Sequence, residues 1–361
     1  MLSSSHRSRP AFTLIELLVV ISIIALLMAI LLPSLGAARR IARTAVCASN
    51  LRSISQAMNS YGAEWENAIL GNGRTSNCAI VTNPSSDNPS FSATDTNVPQ
   101  GIIQTIDWMS ATAKEMGVVF DQGTDLPSRA TRFVQLEGGF SSKTGATYSG
   151  FKAFRCPEND VIATAYQPSY ANPHPMISYV EALGFQYRTG GNSSGAGAAQ
   201  FNISYINLPR DFRNKITQVG NPSAKVFIAD GGRWWNGSGG VTTTLTLQTT
   251  SPGGMDADYG PWEGWQNARS YCYQSAAIDG RPQAMRHGTT RRKGAPYASM
   301  SMNMGFFDGH VENMNGLQAS NPDYWVPMGT MIPASEANTS GPGYTEVTTR
   351  YWPGNQAFIA R

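Results

Sequence analysis

Charge is scarce in this chain of 361 residues. Only 14% of it is Asp, Glu, Lys or Arg, against roughly a quarter in ordinary globular proteins. That shortage excludes a charged disordered chain and a coiled coil with ionic flanks. Cations and anions nearly cancel, 27 against 24, so the net charge of +3 gives no footing for nucleic-acid binding. Cysteine is rare, with four residues, and no C-x-x-C pair occurs, so a zinc site has no sequence signature. There is no G-x-S-x-G, Walker A or H-E-x-x-H motif and no acidic cluster, so the expectation is a protein that is not an enzyme. No repeat and no heptad array is present. Glycine (36) and proline (21) are plentiful instead, which suggests a loop-rich, polar body.

Long hydrophobic runs are also missing, with one exception. Residues 1–11 are short, polar and basic, with Arg7 and Arg9 and no acid. Phe12 to Leu32 then gives 21 residues with a single charge, Glu16. As a helix this run spans roughly 30 Å, one bilayer core. It is apolar on every face, which argues against a buried core helix. Glu16 asks for a reason, because carboxylates within membrane segments are rare and usually paired. It either snorkels at the interface or meets a positive charge created by cleavage before Phe12.

The run Arg9-Pro10-Ala11, then Phe12-Thr13-Leu14-Ile15-Glu16-Leu17-Leu18, resembles the leader of type IV pilins and type II secretion pseudopilins. The resemblance implies cleavage between Ala11 and Phe12 by a prepilin peptidase, followed by methylation of the new Phe12 amine. It implies that Glu16 offsets the amine of a neighbouring subunit during assembly, and that Pro33 is the helix-kinking proline. Ala11 stands where the family usually has glycine. It also implies a single-pass protein of the inner (cytoplasmic) membrane, in contact with lipid and other pilin-like subunits, with its body periplasmic or extracellular. A conventional secretory signal is the rival. Its apolar core would be shorter, its cleavage site would be near Leu35-Gly36-Ala37-Ala38, and Glu16 would be out of place.

Beyond Pro33, apolar residues recur every three or four positions: Leu35, Ala38, Ile41, Ala45, Ala48, Leu51, Ile54, Met58 and Tyr61. The spacing predicts an amphipathic continuation of the helix to about Tyr61 or Trp65. The expected organisation is a leader (1–11), a transmembrane helix (12–33), its amphipathic continuation (34–65) and an exported globular domain (66–361). Within that domain a helix is expected over Ile102–Glu115. Strands are expected over Gly117–Phe120, Thr131–Leu136, Lys225–Ala229, Val241–Gln248 and Met304–Phe307. The fold class is α+β, pilin-like, with one long helix packed on an antiparallel sheet that carries long loop insertions.

Four further pieces resemble a bacterial family with a prepilin-type N-terminus and a C-terminal H-x9-DG motif. They are Cys47–Ala57 with Tyr61, Phe154–Glu158, Val226–Gly231, and Arg286-His287-Gly288 followed by Phe306–Val311. Here twenty residues separate His287 from Asp308-Gly309, where the family has nine. The family keeps cysteine at the positions of Cys47 and Cys156, which implies a Cys47–Cys156 bridge and leaves Cys78 and Cys272 as a second pair. From the residues alone, three pairings and free thiols all stay open. Asp230-Gly231 and Asp308-Gly309 read as turns, with a structural calcium ion on Asp308 and Asp230 as the alternative. His287 and His310 are weak metal candidates beside Asp308. Trp234, Trp235, Trp262 and Trp265 lie in a glycine-rich stretch and suit either packing or a sugar-binding surface. The function expected is a non-enzymatic pilin or pseudopilin-like subunit of a fibre. The alternative is an anchored binding module, glycan-binding for instance, that uses the leader only as an anchor.

Overall fold

The computed structural model describes residues 13–70, 108–119, 139–140, 143–159, 177–186, 206–231, 281–288, 294–334 and 344–361. Residues 131, 135–136, 162–163, 174–175, 257–258, 260–262 and 292 are described between them. The chain divides into two compact units, 1–43 and 44–361.

Helix α1 spans Leu14–Glu64 and contains Pro33. In the first unit its apolar side chains, among them Leu17, Val20, Ile24, Leu27 and Leu31, are exposed. Exposure of this kind suits lipid rather than water. Two hydroxyls of this stretch of α1 are satisfied by the helix itself: Ser22 donates to the Val19 carbonyl at 2.7 Å and Ser34, just past Pro33, to that of Leu31 at 2.9 Å. Among the described residues, α1 is the helix long and apolar enough to cross a membrane.

In the second unit the end of α1 changes character. Cys47, Leu51, Ile54, Met58 and Tyr61 are buried at spacings of four and three, which places them on one face. They cover a five-stranded sheet. Its strands are β1 (Tyr179–Ala182), β2 (Val226–Asp230), β3 (Ala257–Asp258), β4 (Ser301–Phe306) and β5 (Val311–Asn315). The order is β3-β1-β2-β4-β5. All neighbours are antiparallel except β3, which runs parallel to β1. Strands β1 and β2 are buried throughout, which explains why Val226-Phe227-Ile228-Ala229 is continuously apolar rather than alternating. Strand β5 closes one edge and exposes Glu312 and Asn313, as an edge strand protected from further pairing does. Helix α1 approaches closely at Gly305 of β4, where a Cβ would stand 2.7 Å from Ser55 Oγ.

A long helix followed by an antiparallel sheet is the α+β architecture expected. The expected strands at 225–229 and 304–307 are β2 and β4. Two others are corrected. Gly117 is not in a strand: it ends helix α2 (Trp108–Glu115) with φ +84°. Its N–H bonds the Lys114 carbonyl and that of Val118 bonds Ala113, the Schellman pattern that glycine favours. Thr131, Gln135 and Leu136 are helical; a short apolar run cannot be assigned to helix or strand by periodicity alone. Residues 102–107 and 241–248 lie outside the described residues.

Candidate functional site

The N-terminal end of α1 is a capping box. Thr13 precedes the first helical residue, and its Oγ1 accepts the Glu16 N–H at 3.2 Å. Glu16 Oε2 in turn accepts the Thr13 N–H and the Thr13 hydroxyl, both at 2.9 Å. Two backbone donors that the helix cannot satisfy are therefore met reciprocally. The signature T-x-x-E is plain in Thr13-Leu14-Ile15-Glu16, and sequence reasoning passed over it. Ala11 and Phe12 lie outside the described residues.

A second site is buried where α1 meets the sheet. Asp230 ends β2 and is completely buried. Its Oδ1 pairs with Arg286 Nη1 at 3.3 Å, and its Oδ2 accepts the backbone N–H of Asn303 at 2.7 Å. Arg286 also donates to the carbonyls of Ser178 at 2.9 Å and of Gly231. A buried ion pair needs such saturation, since each charge has lost its water. His287 follows immediately, its side chain fully buried, with Nε2 3.1 Å from Asp230 Oδ2. A carboxylate only accepts, so Nε2 carries the proton. The other ring nitrogen, Nδ1, faces the hydroxyl of Thr44 on α1 at 3.1 Å.

Cys47 of α1 and Cys156 are joined in a disulfide, with Cys156 Sγ 3.6 Å from His287 Nε2. Both cysteines are buried. Tyr179 of β1 completes the cluster. Its hydroxyl is 3.3 Å from Asn50 Nδ2 and 3.5 Å from the Cys47 carbonyl. Burial, then the negative charge of Asp230, pushes the phenol well above its ordinary range. Asp230-Gly231 is thus not the turn its composition suggests. It is the end of a central strand and an anchor for side chains.

Asp308-Gly309 is a turn. It connects β4 to β5, Gly309 has φ +90°, and Asp308 Oδ1 accepts both the N–H of His310 at 3.0 Å and its ring at 2.6 Å. His310 stacks on Phe306 at 4.2 Å. The turn and one face of α1 (Arg52, Gln56, Asn59, Ser60) line a polar cleft of about 420 Å³.

His287 and Asp308 do not meet. The His287 N–H bonds Ser301, the first residue of β4, while the Gly309 N–H bonds Phe306, its last. The two motif halves bracket that strand, roughly 17 Å apart at 3.4 Å per residue. Asp230 and Asp308 likewise fall at opposite ends of β2, because Val226 pairs with Phe306 and Ala229 with Met304. They do not form one calcium site. Trp262 is buried and packs on Trp352 at 5.9 Å, so it offers no face to a sugar. Cys78, Cys272, Trp234, Trp235 and Trp265 lie outside the described residues.

No curated protein and no solved structure matches the chain. Residues 6–32 match the family model described as the prokaryotic N-terminal methylation motif. That match takes in Arg7, Arg9, Ala11, Phe12, the Thr13–Glu16 capping box and the apolar run, and it supports a prepilin-type leader.

Proposed function

We propose that the chain is a non-enzymatic pilin or pseudopilin-like subunit. Prepilin peptidase cuts it before Phe12 and the new amine is methylated. The 12–33 segment holds it in the inner membrane, and the body is exported. Subunits then associate through these helices into a type II secretion or type IV pilus-like fibre, with Glu16 facing the Phe12 amine of a neighbour. One observation carries the reading: the methylation motif at 6–32 runs into a helical stretch, from Leu14 on, whose apolar side chains are exposed on every side. The Cys47–Cys156 disulfide supports export, because such bonds persist in oxidising compartments. The fit to the H-x9-DG family rests on the pieces around Cys47, Cys156, Asp230 and His287, which the fold gathers into one cluster.

Glu16 gives the test, because its two roles can be separated. Glu16→Gln keeps an acceptor for the Thr13 N–H and removes the charge. Glu16→Ala removes both. Mass analysis of the mature N-terminus should find methylated Phe12 in both variants and in the parent chain. Fibre or helix-mediated oligomer formation should fail in both. Normal assembly of Glu16→Gln would sink the charge-pairing mechanism, and a start near Arg39 or an intact Met1 would sink the processing. The polar cleft beside Asp308–His310 favours the second reading, an anchored module whose ligand is polar. That reading predicts assembly-independent binding that is lost with Arg52→Ala.

A further inference from the structure

Donor atoms from four distant segments converge beside β2. Cys47 Sγ, Cys156 Sγ and a ring nitrogen of His287 all lie within 4.8 Å of one another. His287 Nε2 stands 3.6 Å from Cys156 Sγ and 3.1 Å from Asp230 Oδ2. A tetrahedral zinc ion, with bonds of about 2.3 Å to sulfur and 2.0–2.1 Å to nitrogen and oxygen, sets S···N at roughly 3.6 Å and N···O at roughly 3.3 Å. Two edges of that tetrahedron are therefore already in place. The two sulfurs are too close, because they are bonded. Opening the bond frees both side chains to turn, until the sulfurs stand about 3.8 Å apart and about 3.6 Å from Asp230 Oδ2.

The surroundings fit the same ion. With Nε2 on a cation, the ring proton moves to Nδ1, where the Thr44 hydroxyl stands 3.1 Å away to accept it. Metal-bound histidines are oriented in this way by a partner on the other nitrogen. Arg286 and the Asn303 N–H hold Asp230. Two thiolates, one carboxylate, one divalent cation and the Arg286 guanidinium sum to zero charge, which burial requires.

We propose that Cys47, Cys156, His287 and Asp230 bind a zinc-class cation whenever the Cys47–Cys156 bond is open. The disulfide and the cation are then alternative fastenings of α1 at Cys47 to the segment that carries Cys156. A dithiol reductant opens the bond: two electrons enter the S–S bond, both sulfurs become thiols, and the dithiol becomes its own disulfide. The cation displaces the two thiol protons to solvent as it forms two metal–sulfur bonds. A disulfide oxidant reverses the exchange by withdrawing two electrons, remaking S–S and releasing the cation.

The test uses the full chain in detergent with Cys78→Ser and Cys272→Ser, so that only this pair of thiols remains. A phosphine opens the bond, taking oxygen from water to become its oxide. Cobalt(II) is then titrated as a coloured probe and displaced with zinc. One cobalt per chain is expected, with a sulfur-to-cobalt charge-transfer band. Zinc should raise the Tm of the reduced chain and leave the oxidised chain unchanged. His287→Gln should weaken zinc at least tenfold, and Thr44→Val about tenfold. A reduced chain without the band overturns the proposal, as does equal uptake by the oxidised chain. If His287→Gln does not fold, Thr44→Val and the parent spectrum decide, and unchanged affinity in Thr44→Val counts against the site.

Discussion

At the scale of single residues, the buried polar groups set the strongest constraints. Arg286 neutralises Asp230 where neither side chain touches solvent. Replacing it with methionine leaves a buried carboxylate without its cation, so Arg286→Met should cost about 3–5 kcal/mol in urea denaturation. Arg286→Met with Asp230→Asn should lose less than the sum of the single changes, since Asn still accepts from Asn303. Lys225 is a different case. Burial lowers its amine to about 8, only partly offset by Asp323, and Nζ donates to the Asp323 carbonyl at 2.6 Å. Between pH 8 and the ordinary lysine value the unfolded chain binds more protons than the folded one, so stability should rise with pH across that window. Denaturation midpoints at the two ends of the window measure the slope, and Lys225→Met should flatten it. Little of this was legible in the sequence. Asp-Gly is a local turn signature and fits Asp308, whereas the partner that makes Asp230 an anchor lies 56 residues away. The Thr13–Glu16 box was legible, because both of its halves sit within one turn.

At the scale of elements, α1 was readable because an apolar run and an apolar stripe share one helical register. The stripe holds from Leu51 to Tyr61, while Leu35 and Ile41 on the same spacing are exposed. Periodicity marks a face without saying where the sheet begins to cover it. Strand β3, two residues long, leaves no pattern to read. Two glycines separate the two ways in which an element can depend on a missing side chain. Gly117 has φ +84° and open space around it, so Gly117→Ala should cost about 1–2 kcal/mol through backbone strain alone. Gly305 has ordinary backbone, but a Cβ there would press on Ser55 Oγ at 2.7 Å and Ile228 Cγ2 at 3.2 Å. Gly305→Ala should cost about 1–3 kcal/mol by overpacking. Gly305→Ala with Ser55→Gly should recover part of that loss, while Ser55→Gly should do nothing for Gly117→Ala. Thermal melts of these four variants, beside the parent and Ser55→Gly alone, give the comparison.

At the scale of the whole molecule, the disulfide decides how far the 44–361 unit depends on the end of α1. It joins residues 109 apart, so the unfolded chain with the bond intact is confined to a loop of that length. In the chain-entropy account a loop of this size is worth about 4–5 kcal/mol. The bond is buried, and its neighbour His287 is held on both ring nitrogens by Asp230 and Thr44. Cys47→Ala with Cys156→Ala should therefore lower stability by about that amount. The lost constraint acts on the unfolded chain, so the native contacts of Tyr179 and Asn50 should persist in the variant at low temperature. Near-ultraviolet circular dichroism at low temperature should look native, while the urea midpoint falls. A variant that has lost its near-ultraviolet signal before any denaturant is added would mean that the bond instead holds the native packing of α1 on the sheet. A single Cys47→Ala should fall at least as far as the double change, because it also strands the Cys156 thiol beside His287.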